Sequence, residues 1–203
     1  MTGHISIRQI SSMTVLMAAF LALPSCVSFG GTAPASMLTL TSTASVTAGT
    51  SNSGIAKEAM IVLVPEVPRK LDTNRVPVQI DPGNVAYLKE SVWTDKPAVL
   101  MQQLLIETLA AKNGTLILSE VEAAGKAENY LSGQLIEFGI DEGGSEAVAI
   151  FDAVHIRKGK PVEKRRFDAR AGLNKIAPRE AGEALNMVAN KIADDVATWL
   201  GTP

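Results

Sequence analysis

Arg8 and Lys57 bracket 48 residues that contain no Asp, Glu, Lys or Arg. A charge-free stretch of that length is either apolar enough to leave water or too simple to fold, and this one divides into both kinds. Residues 13–23, Met-Thr-Val-Leu-Met-Ala-Ala-Phe-Leu-Ala-Leu, form an apolar run stopped by Pro24. Crossing a bilayer takes about 18–20 apolar residues, so the run is too short to span. A single positive charge ahead of a short apolar core matches the n- and h-regions of a secretory signal. A core helix would show a polar face, which this run lacks. Residues 27–56 differ: Ser, Thr and Gly supply 16 of the 30. That composition buries too little apolar surface to offset its ordering entropy, and it reads as a tether spanning about 30 Å. Within it, Met37-Leu-Thr-Leu40 alternates and is a candidate first strand.

The junction Leu23-Pro24-Ser25-Cys26 resembles a bacterial lipobox, an aliphatic residue followed by two usually small ones and a cysteine. The resemblance implies a thioether-linked diacylglycerol on Cys26 and cleavage just before it. It also accounts for the position of the chain's one cysteine, since a lone thiol is a liability in an oxidising compartment. Two or more acyl chains give stable attachment where one is marginal. No Asp follows Cys26, and the resemblance then implies the outer membrane, periplasmic face. The expected organisation is a signal peptide over 1–25, a lipidated tether over 26–58 with the candidate strand at 37–40, and a folded domain over 59–203.

Composition removes several functions. One cysteine and two histidines, His4 and His155, leave no Cys-based zinc or iron–sulfur site and no His-rich one. A net charge of −2 and 4% aromatic residues argue against nucleic acid. There is no Gly-rich phosphate loop ending in Lys-Ser or Lys-Thr and no G-x-S-x-G elbow. No cofactor is expected, and no enzyme.

The folded part reads as α+β. An apolar run over 59–64 suggests a buried strand, and 75–80 and 84–88 flank Asp81-Pro82-Gly83 as a hairpin, with Pro77 suggesting an edge. Asp95 and Pro97 open a helix whose Ala98, Met101, Leu105, Thr108 and Leu109 share a face, ending at Asn113-Gly114. Residues 115–118 read as a short strand, and 129–138, 147–156 and 162–170 as an antiparallel meander. A final helix from Pro178 carries Leu185, Val188, Ile192, Val196 and Trp199 at three- and four-residue steps. A partner-binding helix has the same pattern, but a meander needs one face covered. The expectation is one domain, a mainly antiparallel sheet covered by two amphipathic helices.

This order of elements resembles the ABC-type transport auxiliary lipoprotein family, whose PqiC-like members accompany mammalian-cell-entry (MCE) lipid transport systems. The features that carry the resemblance are the lipobox, the strand near Met37 to Leu40, the apolar strand running into Pro65, Leu71-Asp72 and Arg75, Tyr87-Leu88, Trp93 before a Leu-rich helix, and the closing Ala-rich helix. It implies a non-enzymatic component of a phospholipid transporter. The implied partners are an MCE-domain protein and an inner-membrane ABC permease and ATPase, with membrane contact through the lipid anchor and room for a homo-oligomer. A structural envelope lipoprotein without a transport role is the alternative.

Seven basic residues lie between 157 and 170, with only Glu163 and Asp168 opposing them. Arg157, Lys158, Lys160, Lys164, Arg166 and Arg170 are candidates for a patch binding an acidic partner or anionic headgroups. Lys164, Arg166 and Arg170 would share one strand face, with Arg165 on the other. The same residues equally fit a solvated face and an edge guarded against strand pairing. His155 reads as a strand histidine, and Trp93 and Trp199 as core anchors.

Overall fold

The computed structural model describes residues 36–201. The signal-like run, the lipobox-like junction and Cys26 lie outside the described residues.

Among the described residues, eight strands and three helices follow in order: β1 (Ser36–Leu38), β2 (Met60–Val62), β3 (Pro77–Asp81), β4 (Asn84–Tyr87), β5 (Ser91–Trp93), α1 (Pro97–Asn113), the short α2 (Glu120–Ala123), β6 (Asn129–Asp141), β7 (Glu146–Arg157), β8 (Glu163–Gly172) and α3 (Pro178–Gly201). The class is α+β, as expected. The sheet is mixed. Its path runs β4-β3-β6-β7-β8 with β2 also on β6, and β2 and β3 both pair with β6 in parallel. The β6–β7–β8 meander and the β3–β4 hairpin are antiparallel. β1 and β5 form a separate parallel pair.

The long β6 succeeds because it carries a bulge. Register shifts between Leu135 and Glu137, and the extra Ile136 moves the apolar positions from Leu131 and Leu135 to Phe138 and Ile140. All four are buried, so both halves of the strand keep their apolar side chains on one face. Gly133 lies on that face. A Cβ there would sit 2.8 Å from the Phe151 ring and 2.2 Å from the Asp152 carbonyl oxygen.

That inner face, with Ala147, Ala149, Phe151, Ala153, Phe167 and Ala169, packs against α1 and α3 in one core. The small residues let α3 approach the sheet closely, and its expected stripe of Leu185, Val188, Ile192 and Val196 is buried there.

Several local expectations give way. Asp95 does not cap α1; its carboxylate accepts from the Lys96 N–H, and Lys96 is the N-cap, its side chain bonded to Asp72 rather than to the helix end. Pro97 supplies the preset φ instead. β3 is not an edge strand, because β4 lies on one side and β6 on the other. Pro77 precedes the first residue of β3 paired with β6, Val78, so its missing N–H interrupts no bond on that side. Residues 115–118 make an isolated bridge, Ile117 to Met60, rather than a strand. Gly114 does cap α1 in the left-handed region, with φ 60°.

The largest difference concerns 41–46, which the composition assigns to a tether. Leu38 and Leu40 pack on the core, and Asn190 of α3 grips the backbone beyond them. Its Oδ1 accepts from Thr43 N–H at 2.8 Å, and its Nδ2 donates to the Thr41 carbonyl at 2.9 Å. Asn186 Oδ1 accepts from Thr41 N–H, and Glu107 of α1 accepts from Val46 N–H. Side-chain amides and a carboxylate thus satisfy backbone groups that a simple-composition segment cannot pair internally.

Candidate functional site

The β7–β8 hairpin has two faces, set by the alternation of strand side chains. Odd-numbered residues of both strands face α3. Even-numbered ones, Val148, Ile150, Asp152 and Val154 of β7 with Lys164, Arg166, Asp168 and Arg170 of β8, form the outer face. Lys164, Arg166 and Arg170 do share it, and Arg165 lies on the other, its guanidinium 5.2 Å from the Phe167 ring centroid.

The cations of this face are already engaged. Asp152 stands opposite Arg166 in register and accepts two bonds from it, at 2.6 and 2.9 Å, with Lys164 at 3.3 Å. The Asp152 side chain is 8% exposed, and the Arg166 hydrogen bond holds its carboxyl below the usual carboxylate range. Arg170 pairs with Glu146, Arg157 with Glu163 at 2.9 Å, and Lys158 with Glu128 at 2.5 Å. Of the six candidate patch residues, Lys160 alone has no acidic partner among the described residues. The basic run is therefore an interleaved charge lattice. Glu128, Glu146 and Asp152 were not singled out beside it, though the even spacing of Glu146 and Asp152 on β7 was the available signal.

A cleft of about 650 Å³ opens on the same face over β3, β6, β7 and β8, lined by Pro77, Gln79, Gly139, Val148, Ile150 and Arg170 among others. At its rim Lys70 donates to Glu137 at 2.6 Å. A Cβ on Gly139 would stand 2.5 Å from the Pro77 carbonyl oxygen, so glycine is what lets β3 lie this close. The cleft offers apolar area and paired charges.

His155 is buried, with Nε2 2.8 Å from Asn129 Oδ1 and its ring edge-on to Trp199 at 6.0 Å. Burial pushes its imidazole below the ordinary value, and Arg157 adds to the effect. Trp93 is fully buried and stacks on Phe138 at 5.4 Å. Trp199 is half-buried against Phe167. Asp194 and Asp195 diverge, one to Lys112 and the other to Lys191. Among the described residues no group of three or more His, Cys, Asp or Glu is placed to hold a metal ion, and no helix is long and apolar enough to cross a membrane.

The fold is shared with solved structures. Protein XCC0632 from Xanthomonas campestris, assigned to the DUF330 family, superposes with a TM-score of 0.63 at 14% identity, covering 81% of this chain and 94% of that one. An uncharacterized protein superposes with a TM-score of 0.62 at 16% identity, covering 70% and 92%. No curated protein matches the chain. Residues 38–197 match the family described as ABC-type transport auxiliary lipoprotein component, a span that begins at Leu38 on the core and ends at buried Ala197 in α3. The chain therefore belongs to that family of transport auxiliary lipoproteins.

Proposed function

We propose that the protein is a lipid-anchored accessory subunit of an ABC/MCE-type phospholipid transport system, held by Cys26 at the periplasmic face of the outer membrane. The family match over residues 38–197 carries this reading, because it covers the folded unit from β1 to the last turn of α3. The Cys26 junction supplies the anchor, and the absence of Asp after Cys26 supplies the choice of membrane. The role is docking rather than catalysis. An MCE-domain protein and an inner-membrane permease and ATPase are its partners.

The charge lattice on β7 and β8 is the proposed partner surface. An acidic partner would meet Lys160 first and would have to exchange against Asp152, Glu146 and Glu163 elsewhere, so binding there would be sensitive to salt. Co-purification of an MCE-domain protein with the full chain tests the assignment. Deletion should disturb lipid distribution between the membranes and raise detergent sensitivity. Detergent sensitivity with unchanged lipid distribution and no co-purifying partner would make it a structural envelope lipoprotein instead. Charge reversal at Arg166 and Arg170 that leaves partner capture unchanged would remove the lattice from the docking surface.

A further inference from the structure

At the end of the sheet where β6 begins and β7 ends, a groove of about 790 Å³ runs between residues 55–57, the turn after α2 and the end of β7. Its floor is Ala127, Tyr130 and Ile156, lying over a small second core of Ile61, Ala123 and Ala127. The Tyr130 hydroxyl donates to the Ala127 carbonyl at 3.0 Å, which fixes the ring. Two large apolar side chains stay in water along it, Ile55 at 63% and Ile156 at 38% exposure.

The rim is cationic. Lys57, Lys126 and Lys158 line the groove, and Glu128 is the one acid among them. Glu128 is shared, 3.3 Å from Lys57 and 2.5 Å from Lys158. Lys126 has no acidic partner among the described residues. Three ammonium groups against one carboxylate leave positive charge beside exposed apolar surface, and lysine binds phosphate as a compact point charge.

We infer that this groove binds one anionic phospholipid, its phosphate held by Lys57, Lys126 and Lys158 and an acyl chain lying along Ile55, Ala127, Tyr130 and Ile156. The choice of a phospholipid over other anionic amphiphiles rests on the transport reading; the anionic head and apolar tail rest on the groove. Its position separates it from β1. Leu38 lies against Gly182 near the start of α3, whereas the groove adjoins His155, which touches Trp199. The 17 residues of α3 from Gly182 to Trp199 span about 25 Å, so the groove lies toward the opposite end of α3 from β1.

The test uses the full chain in detergent micelles containing phosphatidylglycerol with radioactive phosphate, and a photoreactive benzoylphenylalanine in place of Ile156. Illumination should label this protein at least about tenfold more than one carrying the same group at exposed Met187 on α3, the ratio expected for a site against a coated surface. Lys57→Glu with Lys126→Glu should reduce labelling about tenfold. Glu128→Gln, which frees two lysines, should raise it, an outcome that misfolding cannot produce. Equal labelling at Met187, equal labelling by phosphatidylcholine, or no rise with Glu128→Gln would overturn the inference. In cells, crosslinking from the same position to a polypeptide rather than to lipid would assign the groove to an acidic protein partner and overturn it as well. Lipid distribution in a deletion strain is scored separately, so lipid labelling without a transport defect refutes only the transport role, and a transport defect without labelling refutes only the groove.

Discussion

Replacing Asn190 with Ala should cost far more than its place on a surface-looking helix position suggests. Asn190 is 6% exposed and makes four bonds within 3.1 Å: Oδ1 accepts from Thr43 N–H and Thr43 Oγ1, and Nδ2 donates to the carbonyls of Thr41 and Asn186. Thr43 N–H and the Thr41 carbonyl belong to a segment with no ladder of its own, so truncation strands two backbone groups in a part-buried setting. At about 0.5–1.5 kcal/mol net per bond, offset by water re-entering beside Thr43, the expected loss is about 3 kcal/mol. For a chain of this size that is a fall in Tm of roughly 6–12 °C. Asn186→Ala is the comparison. Its side chain makes one bond, to Thr41 N–H, and should cost about 1 kcal/mol or less. Thermal and urea unfolding give the two values. Amide exchange at 41–46 should accelerate in Asn190→Ala before global unfolding does. A loss under about 1 kcal/mol, or unchanged exchange at 41–46, would refute the claim that this segment is part of the folded unit.

Three further outcomes can be checked. Gly133→Ala places a Cβ 2.2 Å from the Asp152 carbonyl oxygen, a backbone collision at the centre of the β6–β7 ladder, and should lower stability by about 2–4 kcal/mol in urea titration. Acid should destabilise the protein in two stages. Because burial holds His155 below its ordinary 6.5, the unfolded chain binds its proton first, and stability falls as pH drops from about 6.5 toward the lower folded value. Because Arg166 holds Asp152 below 3.8, the stabilisation that carboxylate supplies is complete above that value and is lost as pH falls through the folded one. His155→Gln should abolish the first stage alone in urea midpoints measured against pH. Cys26→Ala should release the protein from membranes on fractionation, since no acyl chain remains to hold it; retention in the membrane pellet would refute lipidation at that residue.

What was legible in the sequence follows from which contacts are local. α3 announces itself because Leu185, Val188, Ile192 and Val196 repeat at helical steps and all face the core. The β6–β7–β8 meander is legible because its turns, Asp141 to Ser145 and Lys158 to Pro161, separate three strand-like runs. β2 and β3 were readable as strands but not as parallel partners of β6, because nothing inside either strand specifies the direction of a neighbour more than fifty residues away. The same limit applies to α1. Gln102 looks like a solvent-facing position, yet its Nε2 donates to the Val62 carbonyl at the end of β2, and Glu107 accepts from Val46. Polarity on a helix does not by itself mark exposure, because both side chains serve backbone groups arriving from elsewhere.

The basic run on β7 and β8 shows the same limit in its electrostatics. Counted along the chain, it looks strongly cationic. Folded, it has Asp152, Glu146 and Glu128 drawn in from β7 and the start of β6, because antiparallel pairing sets Arg166 beside Asp152 and Val148 beside Arg170. A linear charge count misses countercharges supplied by pairing, and it equally misses charges that pairing leaves unopposed. Lys57 and Lys126 stand 69 residues apart in sequence and carry no local signal, yet they meet Lys158 around one groove. Positive charge that pairing leaves over therefore gathers at the groove, beside exposed Ile55 and Ile156, as well as at Lys160 in the run that first draws the eye. Charge reversal in the run should disturb pairs internal to the protein as well as the proposed partner surface, whereas reversal at Lys57 and Lys126 should act on the groove alone.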